Sequence, residues 1–238
     1  FIIDELFNKD YEDFAASIKD IYCDEEVSRD SIPSNYSFFE MLHIDSIRNY
    51  DLYQYWITED TQYSLAAPIG INEAGEIVSL DLHERGHGPH GLIAGATRSG
   101  KSELLQTYIL SMAMKYHPYE VGFLLIDFKG GGLSNQFANL PHLMGSITNI
   151  SSDEINRSLS SIKAELVKRQ HLFADAGVKT IERYHEKYKA HEAKDPLPHL
   201  IIIVDEFAEL KAEQPEFMKE LVSTARIGGS LGVHLILA

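Results

Sequence analysis

The sequence predicts an α/β fold with a mainly parallel central sheet, helices on both faces, and an acidic, mainly helical N-terminal extension. Three observations carry this. The apolar runs at 121–127 and 200–204 have the continuous hydrophobicity of strands buried on both faces. Polar stretches of helical composition lie between such runs and are long enough to cross from one parallel strand to the next. The segment Gly95-Ala96-Thr97-Arg98-Ser99-Gly100-Lys101-Ser102 falls between a strand signal and a helix signal. That strand–loop–helix context is the one in which G-x-x-x-x-G-K-[ST] cradles phosphate rather than making an ordinary Gly-rich turn.

Residues 1–60 read as the extension. Tyr11, Phe14, Ala15, Ile18 and Ile21 give residues 10–21 one apolar helical face. Ser31-Ile32-Pro33-Ser34-Asn35 reads as a turn, and residues 38–47 as a second short helix. Tyr50, Tyr53, Tyr55 and Trp56 resemble a base-stacking platform. Among so many acidic groups, packing against the main domain is the better expectation.

The main domain, 61–238, opens with two short strands, 65–69 and 77–82, around the turn Asn72-Glu73-Ala74-Gly75. The strand Gly91-Leu92-Ile93-Ala94 leads into the phosphate loop, and residues 102–116 form the helix behind it. A strand at 121–127 and a weaker one at 144–148 follow. Residues 152–173 make a long helix with Asp153 and Glu154 in its first turn and Lys168 and Arg169 near its end, matching the helix dipole. Further helices are expected at 180–191 and 216–225, and strands at 200–204 and 233–238. The chain lacks an initiator Met and stops within an apolar strand, so it reads as a piece of a longer protein.

The bulk numbers agree with a globular domain: 44% hydrophobic and 24% charged residues. No apolar run approaches the roughly 20 residues of a membrane span, and the N-terminus has no signal-peptide pattern. Cys23 is the single cysteine, so no internal disulfide can form. The net charge of −15 is uneven: residues 1–60 carry 15 acidic and 4 basic side chains, residues 61–238 carry 21 and 17. This balance argues against a sequence-independent DNA footprint, which needs clustered Lys and Arg.

The site chemistry centres on two motifs. In the loop, backbone N–H groups turn toward phosphates, Lys101 reaches the β- and γ-phosphates, Ser102 binds Mg²⁺, and the following helix adds its positive end. The nucleotide-binding set is therefore Gly95, Ala96, Thr97, Arg98, Ser99, Gly100, Lys101, Ser102 and the adjoining Glu103. The second motif is His199-Leu200-Ile201-Ile202-Ile203-Val204-Asp205-Glu206, an apolar strand ending in two acids. Asp205 would share the Mg²⁺ and Glu206 would act as general base or orient the attacking water. The catalytic set is Glu206, Lys101 and an arginine from a neighbouring subunit, for which Arg157 is preferred over Arg169 and Arg226. A surface ion pair is the alternative for each of the three. Asp127-Phe128-Lys129-Gly130-Gly131-Gly132 ends another strand, where ligands of open α/β sheets bind. For Lys129 two readings stand, a contact to phosphate or a neighbour, and a simple mobile turn. His83, His87 and His90 are loosely spaced like metal ligands, but no Cys/His framework supports a site.

Together these segments resemble the FtsK/SpoIIIE ATPases, and within them the EssC/EccC-type motor of type VII secretion. The resemblance rests on Gly88-Pro89-His90-Gly91-Leu92-Ile93-Ala94-Gly95, Leu125-Ile126-Asp127-Phe128-Lys129-Gly130-Gly131-Gly132, Asp205-Glu206-Phe207-Ala208-Glu209-Leu210 and Ser223-Thr224-Ala225-Arg226-Ile227-Gly228 running on to Leu235-Ile236-Leu237-Ala238. It covers residue 65 to the C-terminus and looks most like the first of several tandem motor domains. It implies a RecA-like core, ATP and Mg²⁺ as ligands, and hexameric rings of neighbouring copies. It further implies adjacent tandem ATPase domains, WXG100-type secreted proteins as substrates rather than DNA, and a membrane-anchored parent working at the cytoplasmic face of the cell membrane.

Two positions depart from the family pattern. Arg98 stands where the family has glycine in its phosphate loop, and Gly229 stands where it has arginine. Arg98 is expected to strain the loop, to occlude the pocket, or to add a phosphate contact in cis. Three functions therefore follow: an ATP-hydrolysing secretion motor, a nucleotide-binding but nearly inactive ring component, and an FtsK-like DNA translocase, in that order.

Overall fold

The computed structural model describes residues 35–96, 98–127, 132–148 and 152–238. The helix expected over 10–21, Cys23, Thr97 and Lys129 lie outside them.

The first described helix, α1 (Phe38–Met41), is closed by a capping box in which Ser37 and Glu40 exchange side-chain and backbone hydrogen bonds. The single helix expected over 38–47 is thus broken. His43 takes a left-handed φ of 54°, and Ser46 starts a separate 3₁₀ turn, Ile47–Asn49, by accepting from Arg48 N–H. Helix α2 (Leu52–Thr58) is capped by Asp51, which accepts from Gln54 N–H.

Strands β1 (Ala66–Ile71) and β2 (Ile77–Asp81) form an antiparallel hairpin across the expected turn. The main sheet comprises β3 (His90–Leu92), β4 (Val121–Asp127), β5 (Leu143–Ile147), β6 (His199–Asp205) and β7 (Val233–Leu237). They pair in the order β3-β7-β6-β4-β5, and every pair is parallel. Asp127 and Asp205, the last residues of β4 and β6, stand side by side in register.

The alternation along β6 shows why the strand reads as a continuous apolar run. Leu200, Ile202 and Val204 enter one core; Ile201 and Ile203 enter the other. The first core lies under α5 (Ser152–Ala176), α6 (Ile181–Lys189), α7 (Phe207–Glu213) and α8 (Pro215–Gly228), and the second under α3 (Lys101–Lys115) and β1. The short helix α4 (Gly132–Gln136) and helix α7 had no sequence expectation. Each is the next described element after an acid-ending strand. Trp56 of α2 lies against α3, where its Nε1–H donates to the Ala113 carbonyl at 3.0 Å and its ring meets His117 and His142 edge-on. Packing is thus the role of Trp56. Tyr53 and Tyr55 remain 64% and 45% exposed.

Candidate nucleotide site

The loop between β3 and α3 is compact at two points. At Gly95 a Cβ would run into Ser99 Oγ, so a larger residue there would have to turn the Ser99 hydroxyl aside. Gly100 caps α3 with a φ of 93°, and Leu104 N–H bonds back to its carbonyl at 2.9 Å. Between them Arg98 is held at φ 66°, the left-handed region where a side chain costs roughly 1–2 kcal/mol. The strain expected at Arg98 is therefore present in the backbone.

Lys101 opens α3 and points across to the end of β6. Its Nζ lies 3.2 Å from Asp205 Oδ1 and 3.9 Å from Glu206 Oε2. Asp205 also accepts from Glu206 N–H at 3.0 Å. That bond accompanies a left-handed turn at Glu206, φ 60° and ψ 43°, from which α7 starts. The turn takes the Glu206 side chain away from the sheet and into the cleft. The cleft, of about 420 Å³, is lined by Gly95, Ala96, Arg98, Gly100, Lys101, Ser102, Glu103 and Glu206. Ser99 lies beneath Gly95, and Asp205 is reached through Lys101. Phosphate loop and acidic strand, 104 residues apart between Lys101 and Asp205, are thus brought to one mouth.

The donors suit a hard cation. Ser102 is exposed at the cleft, and the mostly buried Asp205 carboxylate, 11% side-chain exposed, sits close to the loop with Glu206. Oxygen donors of this kind, supplemented by nucleotide phosphates, are the usual surroundings of Mg²⁺.

The Asp127 carboxylate itself carries no role that residue pattern alone assigns. It is 4% exposed beside Asp205, and its Oδ2 accepts from Leu133 N–H at 3.0 Å, closing the connection from β4 to the helix Gly132–Gln136. The available signal was that two parallel strands end in aspartate at the same level.

The arginine candidates separate. Arg157 is exposed on α5, away from the cleft lining of its own copy. Arg226 is exposed in the last turn of α8 and lines a different groove. Arg169 is corrected: it is fully buried. Its NH1 donates to the Leu231 carbonyl and its NH2 to the Pro198 carbonyl, each at 2.8 Å, while Nε pairs with Glu165 at 3.0 Å. A guanidinium used in this way braces its own subunit and cannot reach another.

The histidines at 83, 87 and 90 are committed separately. His83 Nε2 lies 3.2 Å from the Gln62 carbonyl, His87 Nδ1 accepts from Asp81 N–H, and His90 Nδ1 accepts from Leu235 N–H. A second group is buried at the start of β6 and β7. His199 Nδ1 and His234 Nε2 are 2.9 Å apart, and His234 Nδ1 meets the Pro89 carbonyl at 3.0 Å. Burial holds both rings neutral: His199 is pushed well below the ordinary imidazole range and His234 down to about 4.

Comparison with known proteins agrees with this geometry. The profile of the FtsK/SpoIIIE family matches residues 46–238. The chain is 55% identical over 210 residues to the type VII secretion system protein EssC of Staphylococcus aureus, covering 88% of this chain and 14% of that protein. It is 52% identical over 240 residues to the ESX secretion system protein EccC of Geobacillus thermodenitrificans, covering 100% of this chain and 16% of that one. Among solved structures, the cytoplasmic domain of the Thermomonospora curvata type VII secretion ATPase EccC superposes with a TM-score of 0.80 at 37% identity, covering 86% of this chain and 25% of that chain. ATPases 2 and 3 of the same protein, in complex with a signal sequence peptide, give 0.62 at 27% identity over 73% of this chain and 32% of that chain. The chain therefore spans about one-seventh of the length of these curated relatives.

Proposed function

We propose that this chain, which belongs to the FtsK/SpoIIIE family and is homologous to the EssC/EccC ATPase domains, is an ATP-hydrolysing motor domain of a type VII protein secretion complex. The observation that carries this is the bridge from Lys101 Nζ to Asp205 and Glu206 across the cleft. Before nucleotide arrives, the single positive charge of the lysine offsets part of the charge of the two carboxylates. ATP phosphates entering between the loop and α3 compete for Lys101 and release Glu206, 34% side-chain exposed, to take a proton from the attacking water. The loop N–H groups and the N-terminus of α3 hold the phosphates in place. Ser102 and Asp205 would hold Mg²⁺, which when bound neutralises charge developing on the transferred phosphoryl group. Each catalytic site would be completed by a neighbouring copy in a ring, with Arg157 as the preferred arginine.

The relatives support a wider role as part of the same proposal. The domain would act beside further tandem ATPase domains at the cytoplasmic face of the membrane, in a parent anchored there. It would couple nucleotide state to export of WXG100-like proteins. No described helix is long and apolar enough to cross a membrane itself.

One observation favours a second reading, a nucleotide-binding domain of low turnover: Arg98 sits in strained backbone inside the cradle. The two readings separate in the assembled parent. Lys101→Ala should abolish ATP binding, and Glu206→Gln should retain binding while losing hydrolysis. Unchanged activity in both variants would refute the motor assignment. Tight binding with no measurable wild-type hydrolysis would select the second reading.

A further inference from the structure

A second concavity lies on the other side of α7 from the nucleotide cleft. It is an apolar groove of about 510 Å³ between α7, α8 and the end of β7, floored by Phe207, Met218 and Val222. Its rim is basic: Lys211, Lys219 and Arg226 surround it, in a chain whose net charge is −15. An apolar floor inside a cationic rim calls for an apolar or aromatic surface carrying carboxylates.

The same chain presents such a surface. Tyr36, Phe39, Tyr53, Tyr55 and Ile57 are 39–64% exposed on α1, α2 and their flanks. Residues 36–63 hold five acidic side chains and one basic one; Glu59 and Asp60 are paired with Lys115 and Lys189, which leaves Glu40, Asp45 and Asp51 to face a partner. Asp45 and Asp51 are exposed among the aromatics. With Ile47, also exposed, six large apolar groups stand out within 22 residues, more than the scattered single residues expected of an ordinary surface.

The two surfaces cannot meet within one molecule. Trp56 pins α2 to Ala113, near the C-terminal end of α3, whereas the groove lies by Glu206, next to the N-terminal end of α3. Twelve residues of helix separate Lys101 from Ala113, about 18 Å at 1.5 Å per residue. Complementary surfaces at opposite ends of a subunit make a heterologous contact, which joins copies into a ring or a stack.

We propose that copies of this chain associate head to tail, with the acidic aromatic face of residues 36–63 of one copy seated in the basic-rimmed groove of the next. The contact adjoins the nucleotide site through one helix. Glu206, the cap of α7, lines the cleft, and the next residue, Phe207, lines the groove. Phe207 N–H is also bound to the Ala238 carbonyl, at the end of β7. The proposal takes from the motor reading only that copies act together.

Mixed cysteine variants of the protein test it. In a Cys23→Ser background, one pool carries Val222→Cys and the other Tyr53→Cys. Mild oxidation of the mixture should give a crosslinked dimer at least tenfold above that of a control mixture of Val167→Cys with Tyr53→Cys. Val167 is 49% exposed and lies outside the groove. By sedimentation velocity at low salt, Lys211→Glu should weaken self-association at least tenfold, and mixing it with Asp45→Lys copies should restore it. A crosslinking yield equal to the control, or self-association indifferent to Lys211→Glu, would overturn the proposal. ATP affinity is measured on the same variants. Loss of association with intact ATP binding concerns this contact alone, whereas failure to bind ATP in the unsubstituted protein concerns the nucleotide site.

Discussion

Replacing Arg169 by methionine removes a guanidinium that ties three elements together: α5, the approach to β6 at Pro198, and the approach to β7 at Leu231 and Gly232. The stem volume is nearly conserved, so the loss is mainly polar. Three carbonyls, two buried and one part-buried, lose a charged donor, and Glu165, 22% side-chain exposed, keeps only Lys168 at 3.8 Å. Removing one member of a buried ion pair costs about 3–5 kcal/mol, because the groups left behind are desolvated and unpaired. The partial exposure of Glu165 and any water entering the site pull toward the lower end. For a domain of this size each kcal/mol shifts Tm by about 2–4 °C, so the midpoint should fall by about 6–20 °C. Urea unfolding followed by the fluorescence of Trp56, the single tryptophan, measures this directly. Arg169→Lys should recover only part of the loss, since an ammonium cannot reproduce the fork that spans Pro198 and Leu231. A loss under about 1 kcal/mol together with a large fall in the ATP turnover of the assembled protein would refute the bracing role. That result would mean that Arg169 leaves its site to act on a neighbour.

Other substitutions probe the remaining features. Arg98→Gly relieves roughly 1–2 kcal/mol of left-handed strain but adds about 0.4–1 kcal/mol of unfolded-chain entropy. Stability should therefore rise only slightly, and calorimetric ATP titration with a turnover assay should show one of the two quantities increasing; if neither does, Arg98 does not damp the site. Stability should also fall with acidification. The folded chain holds His199, His185 and His234 below the ordinary imidazole range, mainly by burial, whereas the unfolded chain takes up their protons near pH 6.5. Their contribution is thus complete above about pH 6.5 and is lost progressively toward about 4, the folded value of His234. His234→Gln should flatten the pH dependence of the urea midpoint over that window, and an unchanged slope would exclude His234 as a source. Trp56→Phe removes one partly buried hydrogen bond to Ala113 and should cost about 0.5–1.5 kcal/mol by urea unfolding followed by circular dichroism, while leaving ATP affinity unchanged.

Much of the architecture was legible because the signals are local. The runs 121–127 and 200–204 are apolar at every position, and a strand with helices on both faces requires that. The long helix 152–173 is marked by acids in its first turn and bases near its end, and the structure extends it to Ala176. The loop Gly95–Ser102 is recognisable because close phosphate contact needs small residues and a lysine at fixed spacing. The break in the helix expected over 38–47 was less legible. It depends on a left-handed His43 and a Ser46 cap, and serine is equally at home in either role.

By itself, then, the sequence determined which residues could bind phosphate and which could activate water, because those abilities belong to side-chain chemistry and short-range spacing. The tertiary structure decided which of them meet. Parallel pairing of β4, β6 and β7 carried Asp205 to the strand end facing Lys101. A left-handed Glu206 turned its carboxylate into the cleft and started a helix that no periodicity announced. Arg169, Arg157 and Arg226 are chemically equivalent in the sequence. Only packing separates them, since whether a guanidinium spends its donors on its own backbone or presents them to solvent depends on contacts 29 to 63 residues away along the chain.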